Sequence, residues 1–166
     1  MGLNKSLIGF IGFSAGGHLS GHLAATSGAQ PYFRGYPRID SADDESCRPD
    51  FNLMLYPWCL TGLVGECNQD TNNTVNVPVS RANPPAFLAQ AEDDSTAPVE
   101  NSIYYFLALK KSSAPRSDLH VYPHGGHGYG RCTVGSSKGM DAEVCSWPDR
   151  AAAFLSRLVA PRPVHS

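Results

Sequence analysis

The 166 residues contain no uninterrupted apolar run of about 18, the length that marks a membrane-spanning helix. Nor is there a charged-then-apolar leader of the signal-peptide kind. Charge of either sign is scarce: charged residues are 17% of the chain and the formal net charge is −2. That balance leaves no basic field to hold a nucleic-acid backbone. None of the five cysteines stands in a Cys-x-x-Cys spacing, which removes the usual zinc and thioredoxin-like readings. No internal repeat is apparent, and 16 glycines with 13 prolines stay below the level that signals disorder. What remains is a chain with 42% hydrophobic residues, long enough for one core and short for two. The expectation is a single domain over residues 1–166.

The cysteines that are present leave two readings open. Cys59 with Cys67 and Cys132 with Cys145 each bracket a short loop. The spacing fits local disulfides in a secreted protein and fits unpaired buried thiols equally well. Two such disulfides would leave Cys47 over. Asn72-Asn73-Thr74 matches the glycosylation pattern within an apparent loop.

The chain is organised around Gly12-Phe13-Ser14-Ala15-Gly16-Gly17-His18, which follows the apolar run Leu7 to Ile11 and precedes a small-residue segment, Leu19 to Ala25. This reads as strand, sharp turn and helix, with a strained serine at the corner. Gly12 and Gly16 are expected where larger side chains would collide as strand and helix cross. Such a corner exposes the Ser14 hydroxyl and aims the Ala15 N–H at an oxyanion. Further along, Phe51 to Tyr56, Ala86 to Gln90 and Leu119 to Tyr122 are short apolar runs bounded by loops or prolines. Two helices are predicted. One spans about Val99 to Lys111, with Ile103, Phe106, Leu107 and Lys110 on one face. The other spans about Trp147 to Leu158, capped by Ser146, with Ala152, Phe154, Leu155 and Leu158 inward. Ser27 to Asp50 and Trp58 to Pro85 read as long loops, the first with room for a helical turn. Four such strands separated by helices or long crossovers predict an α/β fold: a parallel sheet of about four strands, paired in sequence order, with helices on both faces.

In such a sheet, functional groups gather at the carboxyl ends of the strands. There the chain offers Ser14, then Asp94, then His127, the order nucleophile, acid, histidine. A serine hydroxyl is inert at neutral pH unless a base takes its proton, a neutral imidazole can do so, and a carboxylate can fix that imidazole's tautomer. Asp93 and Glu92 are rival acids; His120 and His124 are rival bases without the flanking glycines of Gly126-His127-Gly128. Trp58 and Tyr129, in the loops after the second and fourth strands, are the candidate substrate-binding residues. His18 and His22, four apart on one helix, have the spacing of a metal pair but no third ligand nearby. Neither metal nor cofactor is expected.

Three stretches together carry a resemblance: Ile8 to His18, Asp94 to Ser102, and His120 to Gly130. On them the chain resembles the C-terminal part of an α/β-hydrolase of the esterase/lipase, acetyl-xylan-esterase-like kind, related to the prolyl oligopeptidase superfamily. The resemblance implies a Ser14, Asp94, His127 triad, with Asp94 rather than Asp93 as the acid. It also implies hydrolysis of short-acyl esters, such as acetyl groups on carbohydrate. Amidase or peptidase activity is the alternative, and an inactive module that completes a partner's sheet is another. Two departures stand out. The usual His-Gly ahead of the acid is Gln90-Ala91 here. The strands that precede the elbow in the resembled family, with the His-Gly-Gly loop that supplies a second oxyanion donor, have no counterpart in the 166 residues. The expectations are weak turnover and self-association through the uncovered first strand.

Overall fold

The computed structural model describes residues 7–26, 37–62, 75–132 and 143–159. Cys67, the Asn72-Asn73-Thr74 tripeptide and residues 160–166 lie outside them. The elements are β1 (Gly9–Phe13), α1 (Ala15–Thr26), β2 (Phe51–Leu55), β3 (Ala86–Ala91), α2 (Glu100–Lys111), β4 (Asp118–Tyr122) and α3 (Trp147–Val159), with short 3₁₀ turns at Ser41–Asp44 and Val144–Ser146. The four strands form one parallel sheet in the order β1-β2-β3-β4. Ile11 stands opposite Leu53, Leu53 opposite Phe87, and Leu88 opposite Leu119.

The two inner strands are apolar on both sides because both sides are covered, as parallel strands require. Leu53, Leu55, Phe87, Ala89 and Ala91 face one way and pack with Trp147, Ala151 and Phe154 of α3. Met54, Ala86 and Leu88 face the other way, onto Tyr105 and Leu109 of α2. On the α2 side, α1 packs on β1 and β2, next to Met54 and Leu60. Among the described residues no helix is long and apolar enough to cross a membrane.

The inward face of α2 differs from the pattern read in the sequence, while that of α3 follows it but for one residue. In α2 the buried residues are Asn101, Ser102, Tyr105 and Leu109, while Leu107 is exposed. The inward stripe of this helix is set by hydrogen-bonding demands near its start, and these displace the apolar stripe. In α3, Phe154, Leu155 and Leu158 pack into the core as read, and Ala151 is buried where Ala152 was expected. Ser146 closes a 3₁₀ turn, its hydroxyl donating to the Glu143 carbonyl, and so is not the cap expected from its place before the helix. Cys132 and Cys145 form a disulfide with Cα atoms 5.5 Å apart, tying the loop after β4 to the turn before α3. Closing a loop of this size stabilises by about 3 kcal/mol in the chain-entropy account. Cys59 is also disulfide-bonded, and Cys47 is exposed.

The crossing of β1 and α1 is tighter on one side of the serine than expected and looser on the other. A methyl group on Gly12 would sit 2.2 Å from the Gly16 carbonyl oxygen, whereas one on Gly16 would meet nothing within 4 Å. The second close approach belongs to Gly17, where a Cβ would come within 2.8 Å of Pro57. Gly12→Ala is therefore expected to destabilise the chain by about 1–3 kcal/mol or more, the usual range for overpacking a filled core. Gly16→Ala should leave stability unchanged or raise it, since alanine favours a helix. Urea unfolding of the two variants checks this, and equal losses would show that the crossing is not set at Gly12.

Candidate active site

Ser14 sits between β1 and α1 with φ of +52°, a left-handed backbone that is uncommon for a residue with a side chain. Four hydrogen bonds hold it there. Its N–H donates to the Leu55 carbonyl at 3.0 Å. Its own carbonyl accepts from the N–H groups of Gly17 at 2.9 Å, His18 at 3.3 Å and Trp58 at 3.1 Å. The hydroxyl is thereby presented at the carboxyl end of the sheet. Ala15, which opens α1, is exposed there. An N–H in the first turn of a helix has no partner within the helix and is available to an anion.

The loop after β4 brings His127 to the same place. Its Nε2 lies 2.8 Å from Ser14 Oγ and its Nδ1 lies 2.8 Å from Asp94 Oδ2. A carboxylate only accepts, so Nδ1 carries the proton and donates it to Asp94, leaving Nε2 to accept from the serine hydroxyl. The Asp94 side chain has no exposed surface and that of His127 is 22% exposed. The buried carboxylate is fully satisfied. Oδ1 accepts from the N–H groups of Thr96 at 2.9 Å and Ala97 at 2.8 Å, while Oδ2 accepts from His127 and from Gln90 Nε2 at 2.9 Å.

Asp93, the rival acid, does something else. It reaches across to the histidine loop, accepting from the Gly126 N–H at 2.7 Å and lying 3.5 Å from His124 Nδ1. Gly126 immediately precedes His127 and has φ of +58°. The Gly126 N–H holds the Asp93 carboxyl below the ordinary aspartate range; partial desolvation opposes this, and the Gly125 N–H and His124 assist it. Glu92 is exposed. Behind the imidazole stands Tyr56, a residue not singled out from the sequence, with φ of +37°. Its ring meets His127 edge-on at 5.0 Å and Tyr129 at 4.5 Å. Burial raises the Tyr56 phenol above its ordinary pKa, and its oxygen accepts from the Gly130 N–H at 3.2 Å. Trp147 Nε1 donates to the Gly130 carbonyl at 2.8 Å, fixing the loop from its other side.

The remaining candidates are placed as follows. Trp58 is half-buried beside the elbow, tied to it through its N–H. Tyr129 has no exposed surface and donates its hydroxyl to the Ala89 carbonyl at 2.8 Å. This corrects its reading as a substrate contact, because a side chain with no accessible surface supports the site from below. His18 Nδ1 bonds the Cys59 carbonyl at 2.6 Å and its ring lies against His22, whose pKa is lowered by burial and then by His18. Among the described residues no group of three or more His, Cys, Asp or Glu side chains is placed to hold a metal. His120 packs on Phe87, on the α3 side of the sheet, and His124 is exposed. A groove of about 1210 Å³ lies at the amino ends of the strands, between Asp50, Pro85 and Asp118, away from Ser14.

The polar residues behind the site escaped the sequence reading. Ser102 Oγ donates to Gln90 Oε1 at 3.1 Å. Asn101 Oδ1 accepts from the N–H groups of Leu60 at 2.7 Å and Thr61 at 3.1 Å. One signal was available: Asn101, Ser102 and Tyr105 share the helix face that an apolar stripe would occupy.

Comparison with known proteins shows the family and the fold. Residues 3–154 match the prolyl oligopeptidase family. The chain is 32% identical over 146 residues to the acetylxylan esterase of Xylanibacter ruminicola, covering 77% of this chain and 27% of that protein. It is 33% identical over 144 residues to the endo-1,4-beta-xylanase B of Butyrivibrio fibrisolvens, covering 75% and 20%. The crystal structure of an acetyl ester-xyloside bifunctional hydrolase from Caldicellulosiruptor lactoaceticus superimposes with a TM-score of 0.70 at 31% identity, covering 94% of this chain and 58% of that one. The chain thus spans about a quarter of the length of the curated relatives it matches.

The Asp93 bond carries a pH signature. A carboxyl whose folded value is lowered contributes its stability in full above the unfolded value, about pH 3.9 for aspartate, and loses it as the pH falls through the lower folded value. Asp93→Asn should therefore lower the melting temperature near pH 7. The gap between variant and parent should close as the pH is taken below 4. Thermal melts across that range check this, and a gap that stays constant down to pH 3 would show that the charge on Asp93 is not what holds the loop.

Proposed function

Because the chain belongs to the prolyl oligopeptidase family, we propose that it is a serine hydrolase acting on short-acyl carboxylic esters, acetyl groups on carbohydrate among them. The observation that carries this reading is the unbroken path from Ser14 Oγ through His127 to the buried Asp94, each step 2.8 Å long. In the proposed reaction Ser14 Oγ attacks the ester carbonyl as its proton passes to His127 Nε2. The carbonyl oxygen becomes an anion that accepts from the Ala15 N–H, and the imidazolium formed is stabilised by Asp94. The C–O bond to the alcohol then breaks, the alcohol leaves with the proton from Nε2, and the acyl group stays on Ser14. Water, deprotonated by the same nitrogen, releases the acid and restores the serine. Trp58 is the side chain best placed to touch the substrate. The acetyl-carbohydrate preference draws on the xylan-acting relatives, and cleavage of anilides in preference to esters would favour a peptidase or amidase instead.

In this reading Ser14→Ala abolishes both phosphonate labelling and hydrolysis of a short-chain aryl ester. Asp94→Asn lowers turnover by roughly 10⁴, since an amide can hold the imidazole in the wrong tautomer, while Asp93→Asn lowers it far less. Labelling that persists without Ser14, or the reverse ranking of the two aspartates, would overturn the assignment.

A second reading rests on β1. Phe10 is 43% exposed and Ile11 48%, on opposite faces of a strand paired on one edge only among the described residues, and Ile8 beside it is 58% exposed. Exposed apolar strand edges recruit further strands, so the 166-residue chain is expected to self-associate or to complete a partner's sheet through this edge. Light scattering on the purified chain decides: a monodisperse monomer at high concentration would sink this reading.

A further inference from the structure

The buried amide of Gln90 stands directly behind the proposed acid, with both of its N–H donors and its oxygen engaged. It lies on β3 with no exposed surface. One Nε2 hydrogen goes to Asp94 Oδ2 at 2.9 Å and the other to the Ala97 carbonyl at 2.7 Å, while Oε1 accepts from Ser102 Oγ at 3.1 Å. This fixes which way the amide points. Flipped, it would set its oxygen against a carboxylate oxygen and a carbonyl, three acceptors with no proton among them. Ser102 is likewise fully buried, so the amide cannot turn toward water.

We propose that Gln90 is a positioning residue for Asp94: a neutral donor that aims Oδ2 at His127 and shares part of its negative charge. The proposal rests on the reading of Ser14, His127 and Asp94 given above. Neutrality is the point of the arrangement. A cation at position 90 would offset the charge that the imidazolium needs, and a carboxylate would repel Asp94. A titrating donor would let go as the pH changed. The amide does none of these: it neither cancels nor opposes the charge of Asp94, and it holds the carboxylate in a single orientation. Of the other groups that face His127, Ser14 and Tyr56 are neutral, while Asp93 and His124 reach it only through its own loop. A change at position 90 therefore acts on the histidine through Asp94.

The test follows the His127 imidazole by ¹⁵N NMR across pH in the full 166-residue chain, alongside the rate of phosphonate labelling of Ser14. In Gln90→Met, Asp94 loses the donor that shares its charge, and the His127 titration moves to higher pH than in the parent. Gln90→Leu, which likewise lacks the donor and adds no charge, moves it the same way. Labelling near pH 7 slows about 10- to 100-fold in both, as expected for losing a hydrogen bond to a charged group. Ser102→Ala, which removes only the far anchor of the amide and adds no charge, should give a smaller shift of the same sign. It carries the test if the Gln90 variants fail to fold. Folded variants in which His127 titrates as in the parent would overturn the proposal, whatever happens to the rate. A parent chain that hydrolyses no ester yet shows these shifts would overturn the proposed function and leave the role of Gln90 standing.

Discussion

The backbone of Ser14 is the constraint on which the arrangement depends. A non-glycine residue held at positive φ costs on the order of 1 kcal/mol or more, and it persists only where its surroundings over-determine it. Here four backbone hydrogen bonds do so, one donated to β2 and three accepted by the serine carbonyl. Much follows from that corner. β1 must stop at Phe13 and α1 must start at Ala15. The helix must cross so close to the strand that its Gly16 carbonyl fills the space a side chain at position 12 would need. The N–H of Trp58 donates to the Ser14 carbonyl, so the loop after β2 is bound to the elbow as well.

A second demand spreads from Asp94. A buried carboxylate is tolerated only when its lone pairs are met, because removing a charge from water costs several kcal/mol even after relaxation. Two backbone N–H groups, an imidazole and an amide meet them. The amide then needs partners of its own, which are Ser102 and the Ala97 carbonyl. The first turn of α2 is therefore polar on its buried side. Its neighbour Asn101 uses the same position to gather the N–H groups of Leu60 and Thr61. Ser102 is buried to serve the carboxylate through Gln90 and Asn101 is buried to serve the loop after β2, and with both on the inward face Leu107 is left exposed.

This explains what could be read from the chain and what could not. Strands were legible because parallel strands buried on both faces leave near-continuous apolar runs, and Phe51 to Leu55 and Ala86 to Ala91 are such runs, broken only by Asn52 and Gln90. The order Ser14, Asp94, His127 was legible because the topology places each residue just after a strand. The face of α2 was misread because a periodicity count credits apolar residues alone, and its first buried positions are filled by hydrogen-bonding side chains. Gly16 was misassigned for a related reason. Several glycines lie together at the elbow, and only the crossing geometry distinguishes Gly17, which faces Pro57, from Gly16, which faces open space. Asp93 and Asp94 look alike in sequence. What separates them is direction, Asp94 pointing inward to the imidazole ring and Asp93 outward to the backbone beside it.

The serine and the histidine are held with unequal firmness. His127 is fixed by Asp94, by the Asp93 bond to Gly126, by the Tyr56 ring and, through Gly130, by Trp147, all of which stand on β2, β3, α3 or the loops that join them. Ser14 hangs between β1 and α1, and β1 is paired on one side only among the described residues, with apolar side chains exposed on both faces. Two hydrogen bonds run from Ser14 to Asp94, and the outer one joins a well-packed element to a less packed one. Local opening starts where buried apolar contacts are fewest. The Ser14 to His127 contact is accordingly the one that any covering of β1 would tighten, whereas the His127 to Asp94 contact is already secured from within.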